Sequence, residues 1–359
     1  MEAAALRPGA RVPGTVDVNL PIKPPYLPMD ALSASELPAV GRWQYEPKWD
    51  GFRCLAFRDG AAIELQSKAG QPLGRYFPEL VRALLALKVK RFVLDGEIVI
   101  PVKSDLSFDD LLMRIHPAAS RVKKLSEETP ALFIAFDLLV GENGRLLVPQ
   151  PLAERRARLE SFVHRYVPRD GALRLSPATM KITQARRWFK MSVGLDGIIA
   201  KRRDSAYEPG ERTGAMRKIK KLRTADCVVG GFRYASRGRV VGSLLLGLYD
   251  EHKRLNHLGF TSSIHDADRR ALTRKLEALI QPPGFTGQAP GGPSRWSTKR
   301  SAEWEPLSPK LVVEVQYDHF TGGRFRHGTK LLRWRPDKAP EQCTMSQVAR
   351  ESRTPLPIL

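Results

Sequence analysis

The chain is poor in cysteine and poor in acid. Three cysteines stand in 359 residues, Cys54, Cys227 and Cys343, with no C-x-x-C spacing and no histidine cluster beside them. That pattern argues against a disulfide framework or a zinc site and for a reducing cytoplasm. No stretch approaches the roughly 18 consecutive apolar residues of a membrane span, so no membrane partner is expected. The start, M-E-A-A-A-L-R-P-G-A-R, has Glu2 early and no continuous apolar run, and does not read as a signal peptide. Acidic residues number 38 against 59 lysines and arginines, a net charge of +21. A basic excess of this size is the electrostatic footprint of a nucleic-acid partner. The alternative is a basic surface that only keeps the chain soluble. Hydrophobic content of 42% suffices for real cores, and the length suits one large domain or two medium ones.

Residues 1–20 are rich in Pro, Gly and Ala, lack periodicity, and read as a tail. From Trp43 the pattern turns strand-like, and C-L-A-F-R, Asp59-Gly60, A-A-I-E-L-Q-S reads as a hairpin, since Asp-Gly favours the type I′ turn. Pro78 to Lys88 predicts a helix with Leu80, Leu84 and Leu87 on one stripe. R-F-V-L-D-G-E-I-V-I reads as a strand interrupted by Gly96. Ser107 carries an N-cap signature with Asp110 three residues on. A-L-F-I-A-F-D-L-L-V predicts a buried strand, Pro151 to Arg165 and Thr183 to Val193 predict helices, and G-I-I-A-K a short strand. A boundary falls near Leu222 to Asp226. Beyond it the pattern is mostly strand, with one helix around Asp266 to Ile280 and a Pro/Gly-rich loop from Gln281 to Ser294, which suits a small β-barrel of the OB type.

The most informative residues are E-P-K-W-D-G-F-R, Glu46 to Arg53. They set Lys48 as a candidate nucleophile, with Asp50 and Arg53 beside it to organise what it attacks. Alone, a K-x-D-G string equally fits a solvated lysine near a turn. An ordered set follows it: L-D-G-E at Leu94 to Glu97, F-D-L-L at Phe136 to Leu139, D-G-I-I-A-K at Asp196 to Lys201, K-I-K at Lys218 to Lys220, and R-P-D-K at Arg335 to Lys338. Glu97 and Asp196 each adjoin a glycine, which lets backbone approach a ligand; each also fits a turn residue capping its own backbone. Residues 211–223 hold six basic residues against one acidic, fitting either a phosphate-facing segment or a solvated face.

Together the motifs resemble those of the covalent nucleotidyltransferases, specifically the ATP-dependent DNA ligases. The resemblance runs from about Trp43 to Lys338, without an added N-terminal DNA-binding domain, and its compactness and the wording G-T-K-L-L-R-W-R-P-D-K are similar to the bacterial ligase C type. It implies an α+β adenylation (nucleotidyltransferase) domain over residues 21–222, followed by an all-β OB-fold barrel domain over 223–359. Lys48 would attack the α-phosphate of ATP as a neutral amine. Lysine's ordinary pKa is about 10.4, so a shift of some 3 pH units, roughly 4 kcal/mol, would have to come from burial and cations such as Lys218, Lys220 and a metal. Glu97 and Asp196 would hold Mg2+ or Mn2+, Glu46 would accept from an amino purine edge, and Phe136 would stack on the base. Arg53, Lys201, Lys218 and Lys220 would serve the nucleotide as well. Ser67, Lys68 and Gly70, with F-P-E-L after them, resemble the ligases' second motif, although Lys68 stands where the family usually has arginine and loses its bidentate fork. Asp196 stands for the usual glutamate, and Met216 for a frequent tryptophan. Arg335, Asp337 and Lys338 would orient the pyrophosphate leaving group, with Arg324, Arg326 and Lys330 on the same surface.

The implied partner is nicked double-stranded DNA, bound by a monomer, with a repair polymerase or end-binding protein as a possible companion and a cytoplasmic, nucleoid-associated bacterial location. Within the same chemistry, an RNA ligase or a GTP-dependent capping guanylyltransferase shares K-x-D-G and the OB domain, and nucleotide preference separates them. From another class, a non-catalytic basic OB-type binder would bind DNA without consuming nucleotide.

Overall fold

The computed structural model describes residues 17–103, 105–191, 195–291 and 303–348. Compact units divide between Lys220 and Lys221. In the first, the chain runs β1 (Asp30–Ser33), β2 (Trp43–Trp49), β3 (Phe52–Asp59), β4 (Ala62–Ser67), α1 (Pro78–Ala86), β5 (Arg91–Val99), β6 (Pro101–Val102), β7 (Asp105–Leu106), α2 (Phe108–Met113), α3 (Ala119–Glu128), β8 (Leu132–Val140), α4 (Leu152–Tyr166), β9 (Leu173–Leu175), α5 (Ile182–Met191), β10 (Leu195–Arg202) and β11 (Arg212–Lys220). One sheet has the order β1-β11-β10-β2 and the other β4-β3-β5-β8-β9. Both contribute to an apolar layer in which Leu55, Phe57, Val93 and Leu139 meet Tyr207 and Met216. Val18 and Leu20, read from the sequence as tail, are buried in this layer. The Asn19 amide between them donates to Asp59 at 2.7 Å and fixes the segment there.

Local signals explain most element ends. The Asp59-Gly60 turn joins β3 to β4, with Asp59 paired to Ala62. α1 begins on Pro78 and buries Leu80 and Leu84. Its last carbonyls, orphaned by geometry, are taken up by the buried Arg58, which donates to Leu84, to Leu85 at 2.9 Å and to Leu87 at 3.0 Å. The Ser107 hydroxyl caps α2 by accepting from the Asp110 amide at 3.2 Å. Gly96 does not interrupt β5. It makes room there, because a Cβ at this position would lie 2.5 Å from the Phe133 ring. The end of the helix expected to reach Val193, like the end of the 281–294 loop and most of the tail, lies outside the described residues.

The second unit is built on β12 (Arg223–Tyr234), β13 (Val241–Tyr249), β14 (Leu255–Thr261), α6 (Asp266–Glu277), β15 (Glu305–Pro306), β16 (Val312–Tyr317), β17 (Phe320–Thr321), β18 (Arg324–Phe325) and β19 (Lys330–Trp334). Its main sheet has the order β14-β13-β12-β16-β19, with β15 also on β12. Val229, Phe232, Leu244, Leu246, Leu248 and Val313 form the core, with Leu276 from α6 packed on it. The expected barrel is not closed by a continuous ladder. Among the described residues, the edges share an isolated parallel bridge, Thr261 to Thr329, where the Thr261 hydroxyl donates to the Thr329 carbonyl at 2.9 Å. The edges meet where β14 ends and β19 is about to begin, so one residue from each is in register. The unit is OB-like and partly open.

His257 is buried in this core, edge-on to Phe285 with ring centroids 5.4 Å apart. Burial pushes its imidazole down to about 4, and Arg324 and Arg233 add to the shift. The unfolded chain therefore takes up this proton first, near pH 6.5. The contribution is fully present above that pH and fades as pH falls toward 4. His257→Leu is expected to lose less stability than the parent between pH 7 and pH 4, by about 3 kcal/mol, in urea unfolding at each pH. Parallel pH profiles would refute the assignment.

Candidate active site

Three antiparallel strands of the first unit set out the candidate side chains in rows. On β10, Gly197 pairs with Lys48 of β2 and with Lys220 of β11; Ile199 pairs with Glu46 and Lys218; Lys201 pairs with Gln44 and Met216. Residues two apart along a strand share a face, and so do residues directly opposite across a pair. Gln44, Glu46, Lys48, Lys201, Lys218 and Lys220 therefore lie on one face. Gly197, between Lys48 and Lys220, has φ +146°, and a Cβ there would fall 2.0 Å from the Ile219 carbonyl oxygen. The backbone approach needs glycine.

Two bulges add side chains that simple alternation would send elsewhere. Leu195 pairs with Trp49 and Gly197 with Lys48, which leaves Asp196 as the extra residue. Its carboxylate receives a hydrogen bond from the Lys48 ammonium. In the facing sheet, Asp95 pairs with Asp137 and Gly96 with Ala135, so Phe136 is the extra residue on β8. Arg53 lies over its ring at 4.7 Å and Lys201 at 4.6 Å. The ring predicted to stack on a base thus carries two cations.

The charges are paired closely. Lys201 Nζ donates to Glu46 Oε2 at 2.9 Å, and Gln44 Nε2 donates to Glu46 Oε1 at 2.7 Å, all three side chains being buried. Arg53 makes a forked pair with Asp95, at 2.5 Å and 2.6 Å. The Tyr207 hydroxyl donates to Asp95 at 2.7 Å and accepts from the Met29 amide at 3.0 Å. Asp95 holds the Arg53 guanidinium well above its ordinary range, against the burial that would lower it. Burial pushes Glu97 up to about 8, resisted by Lys48 and Arg53 and reinforced by Asp50 and Asp196. Burial also lowers Lys218, which Asp30 opposes and Arg212, Lys68 and Lys220 assist.

Asp30 gathers a further group. It accepts from Lys68 at 2.7 Å and from Arg212 at 2.7 Å, and these cations hold its carboxyl down near 2 despite partial burial. In the second unit, Arg335 and Lys338 both donate to Asp226, at 2.8 Å and 2.7 Å, and Asp337 takes the other edge of the Arg335 guanidinium at 2.8 Å. Met216, the departure from the expected tryptophan, is buried beside Tyr207. Lys48 differs from expectation in its partner. Lys220 is in its row, but the group that touches it is the Asp196 carboxylate.

Sequence reasoning missed Gln44, Asp30, Asp95, Tyr207 and Asp226. Period-2 alternation could have found Gln44, two residues before Glu46, and Asp95, two before Glu97. Asp30, Tyr207 and Asp226 act across the fold and carry no local signal.

Comparison with known proteins gives the family. Residues 32–220 match the ATP dependent DNA ligase domain, and residues 237–338 the ATP dependent DNA ligase C terminal region. DNA ligase C2 of Mycolicibacterium smegmatis is 45% identical over 349 residues, covering 92% of this chain and 96% of that protein. DNA ligase C of Mycobacterium tuberculosis is 43% identical over 350 residues, covering 93% and 96%. The LigD end-joining repair protein of Mycobacterium tuberculosis is 31% identical over 327 residues, 87% of this chain and 38% of its own length. A solved Lig E DNA ligase shares the fold, with a TM-score of 0.54 at 15% identity over 85% of this chain and 99% of that one. The class is thus an ATP-dependent nucleotidyltransferase with a C-terminal OB-like region. Within it, the chain belongs to the ATP-dependent DNA ligases of the bacterial ligase C type.

Asp95 is fully buried and its loss would leave Arg53 unpaired. Removing one member of a buried pair typically costs about 3–5 kcal/mol. Asp95→Ala is expected to destabilise the chain by that amount in urea unfolding, and a loss under about 1 kcal/mol would mean that Arg53 does not need Asp95 as its partner.

Proposed function

We propose that the chain seals nicks in duplex DNA through AMP carried on Lys48. The observation that supports this most is the single face shared by Lys48, Glu46, Lys218 and Lys220, with Asp196 brought to Lys48 by a bulge. A salt-bridged ammonium has no lone pair to attack with. Lys48 must therefore leave Asp196 and lose a proton to solvent. Its nitrogen then forms a P–N bond to the α-phosphorus of ATP as the bond to the β-phosphate oxygen breaks, and pyrophosphate departs. In the second step a 5′-phosphate oxygen at the nick displaces Lys48, giving a 5′–5′ pyrophosphate linkage. In the third the 3′-hydroxyl attacks that 5′-phosphorus, loses its proton, and AMP leaves.

In this reading Glu46, held by Gln44 and Lys201, accepts from the adenine amino group. Phe136 offers its ring to the base, with Arg53 and Lys201 beside it to meet the ribose and phosphates. Lys218 and Lys220 face the phosphates, and Lys68 and Arg212 hold DNA or nucleotide phosphate. Arg335, Asp337 and Lys338 orient the pyrophosphate. Each step is a phosphoryl transfer, so positioning and cation placement carry the rate. Glu97 and Asp196 are hard oxygen donors, and burial raises the Glu97 carboxyl, a shift that a bound cation would reverse. They fit Mg2+ or Mn2+, which would neutralise charge on the reacting phosphate. Residues 21–222 would form the adenylation domain and 223–359 the OB domain, as a monomer. The excess of basic residues would hold duplex phosphates with strong salt dependence. The likeness to LigD, named for end joining, favours a repair role.

The test is covalent labelling of the deadenylated chain with α-labelled ATP, GTP or NAD and magnesium, then a chase with nicked DNA. Label from ATP alone, released as the nick is sealed, is expected, and Lys48→Ala should abolish it. Label from GTP would favour capping chemistry. Retained labelling of Lys48→Ala would sink the nucleophile assignment.

A further inference from the structure

Arg335 and Lys338 are three residues apart on the chain segment that follows β19, and a third residue holds both. Asp226, on β12, gives one carboxylate oxygen to Arg335 Nη1 at 2.8 Å and the other to Lys338 Nζ at 2.7 Å. The Asp226 main chain is fixed in turn by Gln347. Its amide donates to Gln347 Oε1 at 3.0 Å, and its carbonyl accepts from Gln347 Nε2 at 3.1 Å. Ladder pairing with Glu314 of β16 holds the same residue from the other side. Asp226 is 12% exposed, whereas Asp337, which also holds Arg335, is 63% exposed, and Glu314 lies 4.0 Å from the same guanidinium.

The donor count decides what such an arrangement is for. Arg carries five N–H donors and a lysine ammonium three. Asp226 takes one from each and Asp337 takes two more from Arg335, so two donors of Arg335 and two of Lys338 remain for a phosphate while both keep Asp226. An anion meant only to occupy these cations would gain nothing from a doubly clamped backbone. Long cationic side chains lose rotamer entropy on being fixed, and a group that fixes them in advance removes that cost from the reaction step.

This inference rests on the leaving-group role given above to Arg335 and Lys338. We propose that Asp226 is the positioning residue of the R-P-D-K cations, setting Arg335 and Lys338 for pyrophosphate release in the lysine-adenylation step. It touches no substrate and acts through the two cations.

The experiment separates the first step from the last on the full chain. Single-turnover lysine adenylation by the deadenylated protein is measured across ATP concentrations, beside sealing of a pre-adenylated nick. Asp226→Asn should lower the saturated adenylation rate by about tenfold to a hundredfold, with half-saturating ATP and pre-adenylated sealing within about threefold of the parent. Asp226→Glu, which keeps the charge, should recover part of the rate. Gln347→Ala, which frees the Asp226 backbone without changing any charge, should give a smaller loss of the same selectivity and carries the test if Asp226→Asn does not fold. Adenylation by Asp226→Asn at or above the parental rate while Arg335→Ala is slow would overturn the positioning role alone. Equal loss in both assays would also overturn it, marking Asp226 as structural. Normal adenylation by Arg335→Ala would remove the leaving-group reading itself.

Discussion

The chemistry of the first unit depends on the register of three antiparallel strands. β2, β10 and β11 align Lys48, Gly197 and Lys220 in one row and Glu46, Ile199 and Lys218 in the next. A slip of one residue would turn every one of these side chains to the opposite face. Gly197 fixes that register from the middle strand. Its positive φ and its closeness to the Ile219 carbonyl admit no side chain, so the space between Lys48 and Lys220 stays open. The bulge at Asp196 then adds one carboxylate to a face of cations without disturbing the rows.

The facing sheet solves a different problem, the burial of charge. Arg53 and Asp95, and Arg155 and Asp137 at 2.8 Å, are paired in the polar layer next to the apolar one. Isolated, each charge would cost several kcal/mol in such surroundings. Forked geometry and the Tyr207 hydroxyl satisfy the remaining lone pairs of Asp95, which makes Arg53 rigid where it passes over Phe136. Rigidity here serves positioning more than stability, because a buried ion pair rarely stabilises more than the apolar residues it replaces.

Much of this is legible in the sequence. Strand and helix patterns found the hairpin at Asp59-Gly60, the Ser107 cap and the buried strand through Phe136, because each is set by neighbours in sequence. The alternation of Glu46 with Lys48, and of Lys218 with Lys220, already put them on shared faces. Three things were not legible. Bulges are decided by how two strands pair, so neither sequence segment shows that Asp196 or Phe136 is the extra residue. Partners such as Asp30, Tyr207 and Asp226 come from distant segments. Barrel closure depends on where two edge strands stop, and one residue of overlap at Thr261 and Thr329 leaves the second unit's sheet partly open. Val18 and Leu20 read as tail only when the composition of residues 1–20 outweighs their local pattern, since with Ile22 they alternate with Asp17, Asn19 and Pro21 at the period of a half-buried extended segment.

A common feature of both units bears on how phosphates would be received. Lys48, Lys201, Arg335 and Lys338 are each paired with a carboxylate: Asp196, Glu46 and, for the last two, Asp226. A cation moved from water to a phosphate loses hydration that the new pair must offset. A cation already desolvated against a carboxylate has incurred it on folding. When a phosphate oxygen replaces or joins the carboxylate, one anion substitutes for another of similar charge and hydrogen-bonding geometry, so the exchange is close to balanced and the direction is set by small differences in placement. That arrangement suits a reaction in which the same cations must take up a phosphate and then let it go.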